Sequence, residues 1–273
     1  MEWQNKTVVI TGAGGVLCSE IAKEYAQMGA KVALLDINLS AAQKAAEEIN
    51  AAGGKAKAYR ADCLDKSSLE QAHKAVLADL GKCDLLINGA GGNSPKGTAT
   101  KDVHAEMGEG DTSFFDLAAD GVDFVFRLNF LSAFLTTQVF AGDMIGRQGN
   151  IINISSMNAY RPLTRIPAYS GAKASISNFT QWLAVYFAKS GIRVNAIAPG
   201  FFVTNQNRGL LFDKDGAPTA RTKKILAGTP MGRFGEAKEI MGALRWLTDN
   251  ESASFVTGIV VPIDGGFSAY SGV

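Results

Sequence analysis

Seven short runs rich in Val, Ile, Leu and Ala recur along the chain and alternate with stretches of helical periodicity. They are Thr7–Ile10, Lys31–Leu35, Lys55–Tyr59, Asp84–Ile87, Asn150–Ile154, Arg193–Ala198 and Gly258–Ile263. A strand that is apolar at almost every position is covered on both faces, as happens in a parallel sheet with helices on either side. Helical spacing is expected over Glu20–Met28, Ala41–Ala52, Ser67–Leu80, Phe124–Ile145, Ala172–Lys189 and Ala237–Thr248. Ser67 and Glu70 have the spacing of a capping box at one helix start. Right-handed crossovers then give an α/β, doubly wound Rossmann-type parallel sheet with helices on both faces. Ligands of such sheets sit beyond the carboxyl ends of the strands, so the residues just after each strand matter most.

The chain has 273 residues, 47% of them hydrophobic, enough to fill one large core. No Pro/Ser-rich linker, repeat or low-complexity tract divides it, so residues 1–273 are expected to form a single dinucleotide-binding catalytic domain. Two long irregular segments, 91–121 and 201–235, follow strand ends and are expected to overhang the ligand side as lids or binding loops. The 27 Lys plus Arg against 26 Asp plus Glu create no basic field that points to nucleic acid. The first six residues contain no apolar leader, and no later apolar segment of spanning length lacks charges or glycine clusters, so no membrane association and a cytoplasmic location are expected. Cys18, Cys63 and Cys83 lack zinc-ligand spacing and read as reduced packing thiols; with only His73 and His104 beside them, no metal centre is expected.

The stretch "TGAGGVLC", Thr11 to Cys18, joins the first strand to a helical pattern. Gly12 permits a sharp turn, and Gly14 and Gly15 let a phosphate approach main-chain N–H groups at a helix N-terminus. The second strand runs into Asp36, 24 residues past Gly12, where a carboxylate would accept the hydroxyls of an adenosine ribose and repel a 2′-phosphate. Ile37 and Asn38 follow without an adjacent Arg, which favours NAD(H) over NADP(H). In "YSGAK", Tyr169 and Lys173 are four apart and share a helix face. A free phenol ionises near ~10, so the neighbouring ammonium, joined by an oxidised nicotinamide, is expected to lower the Tyr169 pKa. Ser156 stands 13 residues before Tyr169, at the end of the fifth strand.

Taken in order, the glycine turn, Asp36, "NGAG" (88–91), Asn129, Ser156, Tyr169, Lys173, "PGFFVT" (199–204) and "DGGF" (264–267) resemble the short-chain dehydrogenase/reductase family over essentially the whole chain. The resemblance implies that Tyr169 is the general acid/base, that Lys173 lowers its pKa and holds the nicotinamide ribose, and that Ser156 hydrogen-bonds the reacting oxygen. It implies that Asn129 positions a water in a proton relay, and that Pro199, Val203 and Thr204 meet the carboxamide edge of the nicotinamide. Asp62 falls at the position that contacts adenine, and Val16, Leu17, Cys63, Asn88 and Ala90 at positions lining the cofactor. The family's glycine turn carries later glycines at positions 16 and 18, where this chain has Val16 and Cys18. Cys18 is small enough for close helix–strand packing, whereas Val16 is expected to crowd the pyrophosphate or reshape the turn.

Candidate substrate residues are Asn93, Ser94, Asn158, Arg161 and Arg165, with Asn205, Gln206, Asn207 and Arg208 on the later segment. Amides and hydroxyls suit a polyol, and an arginine suits a carboxylate. Within the family the resemblance is greatest to enzymes of sugar-acid metabolism, and it implies a homo-oligomer, expected to be a tetramer. Other polyol or sugar dehydrogenases, an NAD-binding redox sensor without turnover and a sugar-nucleotide epimerase are the competing readings. Retention of Asn129, Ser156, Tyr169 and Lys173 together favours an enzyme over a sensor.

Overall fold

The computed structural model describes residues 3–203 and 208–272. Its seven strands are β1 (Thr7–Thr11), β2 (Lys31–Asp36), β3 (Lys55–Arg60), β4 (Cys83–Asn88), β5 (Asn150–Ile154), β6 (Arg193–Pro199) and β7 (Val260–Ile263). All pair in parallel in the order β3-β2-β1-β4-β5-β6-β7, a doubly wound Rossmann-type sheet. The helices are α1 (Val16–Gln27), α2 (Leu39–Ala51), α3 (Lys66–Asp79), α4 (Ala119–Phe126), α5 (Ser132–Phe140), α6 (Pro167–Phe187), α7 (Arg208–Leu211), α8 (Ala220–Ala227) and α9 (Met241–Thr248).

The continuous apolar runs follow from this layering. Val8, Val9 and Ile10 are all fully buried: Val8 and Ile10 pack with α1, α2 and α9 on one face, and Val9 with α3, α5 and α6 on the other. Edge strand β3 is different, because Lys55 and Lys57 alternate outward and discourage further pairing there. The chain builds outward from β1 to β3 and then returns to place β4 on the other side of β1. That reversal opens a crevice beyond Thr11 and Asn88, where ligands of such sheets bind.

Several helix boundaries differ from their sequence expectation. α1 starts four residues early, directly on the glycine turn, and α6 starts at Pro167, whose ring suits the first helical turn. That early start makes Tyr169 and Lys173 true helix neighbours. Ser67 does not cap α3; the Asp65 carboxylate does, accepting from the Ser67 N–H at 2.9 Å, so Ser67 lies inside the helix. The expected helix Phe124–Ile145 is broken by a wide π turn at Arg127–Leu131. Counted through that turn, the helical path Ala119–Met144 has 26 residues and is long and apolar enough to cross a membrane by length and composition, although it carries Asp120, Asp123, Arg127 and Asp143. Here Val125, Ala133, Phe140 and Met144 are buried within the domain. The segment 201–235 contains α7 and α8, which its broken pattern did not reveal.

Candidate active site

The glycine turn lies over the β1–β4 crevice and is fixed by its neighbours. Gly12 has φ +63°, and a Cβ there would stand 3.0 Å from the Ala90 backbone. The Thr11 hydroxyl accepts from the N–H groups of Gly89 and Ala90 at 3.1 and 3.2 Å, locking the two loops together. Gly15 is the N-cap of α1, so the N–H groups of Val16, Leu17 and Cys18 form its unpaired first turn. Val16 is the first helical residue, with no positive φ, so its backbone does not reshape the turn as expected. Cys18 packs on Gly89, where a Cβ would lie 2.3 Å from the sulfur; the missing glycine in α1 is offset by one across the crevice. Burial pushes the Cys18 thiol up to about 12 and the Cys63 thiol up to about 11, so both stay neutral.

Asp36 closes β2 and also holds this turn. Its Oδ2 accepts from the Gly14 N–H at 2.9 Å and its Oδ1 from the Asn38 N–H at 2.8 Å. A side chain at Gly14 would begin 2.6 Å from the Ala41 Cβ. Asp62 sits past β3, its Oδ1 accepting from the Leu64 N–H. The Asn88 amide turns into the sheet, donating to Thr137 at 3.0 Å and to the Asn153 side chain at 2.8 Å. Pro199 ends β6, and Gly200 packs against Asp264, where a Cβ would be 2.6 Å from its Cα; the "PGFFVT" and "DGGF" motifs thus meet. Val203 follows, partly buried, whereas Thr204, Asn205, Gln206 and Asn207 lie outside the described residues.

At the carboxyl end of β5, the Ser156 hydroxyl stands near enough to the Tyr169 phenol to favour its ionised form. Lys173 lies with its Nζ 5.6 Å from the centre of the Tyr169 ring and donates to the Ile154 carbonyl at 2.8 Å. Asn129 sits in the π turn, where its amide donates to the carbonyls of Gly92 and Val125 at 2.7 and 2.8 Å, and its Oδ1 accepts from the Gly92 N–H at 3.2 Å. The wide turn places a fully buried Asn beside Gly91, where a Cβ would lie 2.6 Å from the Asn129 Oδ1 and 3.2 Å from the Lys173 Nζ. All four residues expected to do chemistry are therefore gathered at one end of the sheet.

Burial dominates the electrostatics of the chain's own groups here. It pushes the Tyr169 phenol up to about 12, opposed by the nearby Ser156 hydroxyl. Burial also holds the Lys173 ammonium down, at about 8. Both shifts have desolvation as their largest cause.

A cavity of about 360 Å³ lies at the start of α6, lined by Ile166, by Phe201 and Phe267, and by Arg165, Arg221, Lys224 and Asp102. The expected substrate residues divide around it. Arg165 lines the cavity, held by its Nε donating to the Ala99 carbonyl at 3.0 Å. Arg161 does not: it is exposed and donates to the Ser268 carbonyl, which ties its loop to the C-terminal segment. Asn158 is buried with an unpartnered Oδ1, and its N–H donates to Ser156 at 3.2 Å. Asn93 is exposed and donates to Thr98. The sequence pattern missed Arg221, Phe201 and Phe267. A charged residue in "ARTKK" reads as a solvated helix face, and only the turn of α8 over the sheet brings Arg221 in.

The short chain dehydrogenase family pattern matches residues 6–214, and the chain belongs to that family. A solved Haemophilus influenza structure with bound NAD, provisionally named a D-mannonate oxidoreductase, is 60% identical, with a TM-score of 0.96 over 99% of this chain and 97% of that one. An uncharacterized oxidoreductase, UxuB, of Bacillus subtilis is 54% identical over 98% of this chain and 96% of its own length. A 2-dehydro-3-deoxy-D-gluconate 5-dehydrogenase of Dickeya dadantii is 31% identical over 97% of this chain and 96% of its own.

Proposed function

We propose that this protein is an NAD(H)-dependent oxidoreductase that interconverts a secondary alcohol and a ketone on a sugar acid, with D-mannonate and D-fructuronate as the pair. The observation that carries the reading is the Tyr169 phenol near the Ser156 hydroxyl with Lys173 above its ring, at the strand ends beside an open glycine turn. The NAD-bound relative and the sugar-acid dehydrogenase relative support it.

The residues present fit the dinucleotide. Gly12, Gly14 and Gly15 keep the turn free of side chains, and the N–H groups of Val16 and Leu17 are open to a pyrophosphate. Asp36 has lone pairs left for a ribose diol, and its neighbours Ile37 and Asn38 offer no cation for a 2′-phosphate. Asp62, Cys63 and Ala90 would border the adenosine half, with the Asn88 backbone beside them; Pro199, Val203 and Thr204 would border the nicotinamide. Bound NADH supplies a hydride to the carbonyl carbon. Tyr169 then donates its proton to the carbonyl oxygen, which Ser156 holds by a hydrogen bond. In this direction a phenol pKa near 12 keeps the donor form populated throughout the neutral range. Lys173 binds the ribose, and Asn129 positions a water that returns the proton to Tyr169.

A homo-oligomer, expected as a tetramer, is supported by Trp182, Val185 and Tyr186, large side chains standing exposed along α6. Three buried free cysteines suit the reducing cytoplasm. NADH consumption across a panel of keto-sugar acids, with product analysis, tests the reading. D-fructuronate should be the best substrate and D-mannonate its product; tight NADH binding with no turnover would instead favour a sensor.

A further inference from the structure

Arg165 and Arg221 reach one cavity from opposite sides, Arg165 from the loop before α6 and Arg221 from the first turn of α8. The third cation there, Lys224, is already matched by Asp102 at 2.8 Å, and Asp102 also accepts from the Thr164 hydroxyl at 3.1 Å. Among the described residues, neither guanidinium has a carboxylate within ion-pair distance. Arg165 uses its Nε on the Ala99 carbonyl, which leaves its Nη groups for the cavity. Two like charges are thus brought together, Arg221 exposed and Arg165 half-buried, and desolvation together with Arg165 lowers the Arg221 pKa while Asp102, also on the cavity wall, opposes that shift. One carboxylate shared among three cations leaves the cavity electropositive and suited to an anionic ligand.

We propose that Arg221 and Arg165 together seat the carboxylate of the substrate, so that α8 helps to choose a sugar acid over the corresponding neutral sugar. The inference rests on the sugar-acid reading above and adds to it the second arginine and its element. Planar guanidinium forks match a carboxylate better than a hydroxyl. The placement agrees: Ile166 lines the cavity, and Tyr169 follows three residues later, about one turn along α6. A substrate of several carbons can therefore put its carboxylate on the arginines and its carbonyl on Tyr169. Phe201, edge-on against Phe267 at 5.3 Å, gives the cavity an apolar wall for the carbon chain of the substrate.

The test is thermal melting of the NADH-saturated protein with D-mannonate, a pair that cannot react, against D-mannitol and against sodium phosphate at matched ionic strength. The wild type should melt roughly 5 °C higher at a hundredfold excess of D-mannonate over its Kd, with no comparable rise from D-mannitol or phosphate. Arg221→Met and Arg165→Met should each weaken D-mannonate binding by at least ~10-fold. Arg221→Lys, which keeps the charge without the fork, should fall between. Unaltered D-mannonate stabilisation of Arg221→Met would overturn the inference while leaving the sugar-acid reading intact. Equal stabilisation by phosphate, lost in the same variants, would overturn the carboxylate assignment. A wild type stabilised by D-gluconate but not by D-mannonate, again through Arg221, would correct the substrate named above and sustain the arginine seat. Stabilisation by no sugar acid would overturn both.

Discussion

The glycine turn after β1 and the segment 201–235 after β6 overhang the same end of one sheet, yet they are held in different ways. Around the turn, the Asp36 carboxylate and the Thr11 hydroxyl accept from the Gly14 and Gly89 N–H groups, and Cys18 meets Gly89 too closely for an added Cβ. Segment 201–235 is tied to residues outside it by the Lys224–Asp102 ion pair and by the Met231 N–H donating to the Gly265 carbonyl. Where the sheet sets the backbone, residue type at a given strand end is enough to locate a group. Where a segment returns over the sheet, location depends on partners far away in sequence.

The largest expected effect falls at the rigid end. Tyr169→Phe removes the proton and little contact area, so turnover should fall ~10²–10⁴-fold while NADH binding, followed by fluorescence, is nearly kept. Activity within a few-fold of wild type would remove Tyr169 from the chemistry.

Lys173 measures what that end costs the fold. Burial holds its ammonium at about 8 against an ordinary 10.5, so between these values the unfolded chain binds more protons than the folded one. Stability therefore rises with pH through that window, and the penalty is present in full below it. Lys173→Met should be inactive yet more stable than wild type at pH 7, by up to about 3 kcal/mol. Denaturant unfolding at pH 7 and pH 10 should show the advantage shrinking as the pH rises; a pH-independent difference would contradict the burial argument.

Asp36→Ala should narrow the preference for NADH over NADPH by roughly tenfold or more, because it removes the repulsion of a 2′-phosphate. It should also lower stability by about 1 kcal/mol, since the Gly14 N–H loses its acceptor. Equal kcat/KM ratios in variant and wild type would show that Asp36 only shapes the turn.

The smallest effect is expected on the overhanging side. With NADH and D-mannonate bound, amide exchange should slow in 91–121 and 201–235 and change little in β1, β4 and β5, which are already protected by the sheet. Unchanged exchange in both segments would mark them as plain surface insertions.

The same division explains what could be read from the sequence. The doubly wound parallel sheet was legible in the apolar runs, and the resemblance of the motifs to a known family grouped Asn129, Ser156, Tyr169 and Lys173. The π turn that aims Asn129 was not, since its residues share the helical pattern of their flanks. Nor was the cap on α3, where Asp65 and Ser67 both suit the role and backbone geometry decides between them. The fate of the arginines was open for a related reason: Arg161 and Arg165 lie in one loop, yet one meets the Ser268 carbonyl and the other the cavity. The raised Tyr169 pKa reflects burial depth, which only the packed fold reveals.

Hydride transfer to the keto carbon of a sugar acid, proposed above, can be followed with NADH carrying deuterium at both C4 positions, incubated with D-fructuronate and the enzyme. The product should be D-mannonate one mass unit heavier than the unlabelled compound, with the deuterium on the former carbonyl carbon. Absence of D-mannonate, or its formation without deuterium, would refute the proposed reaction.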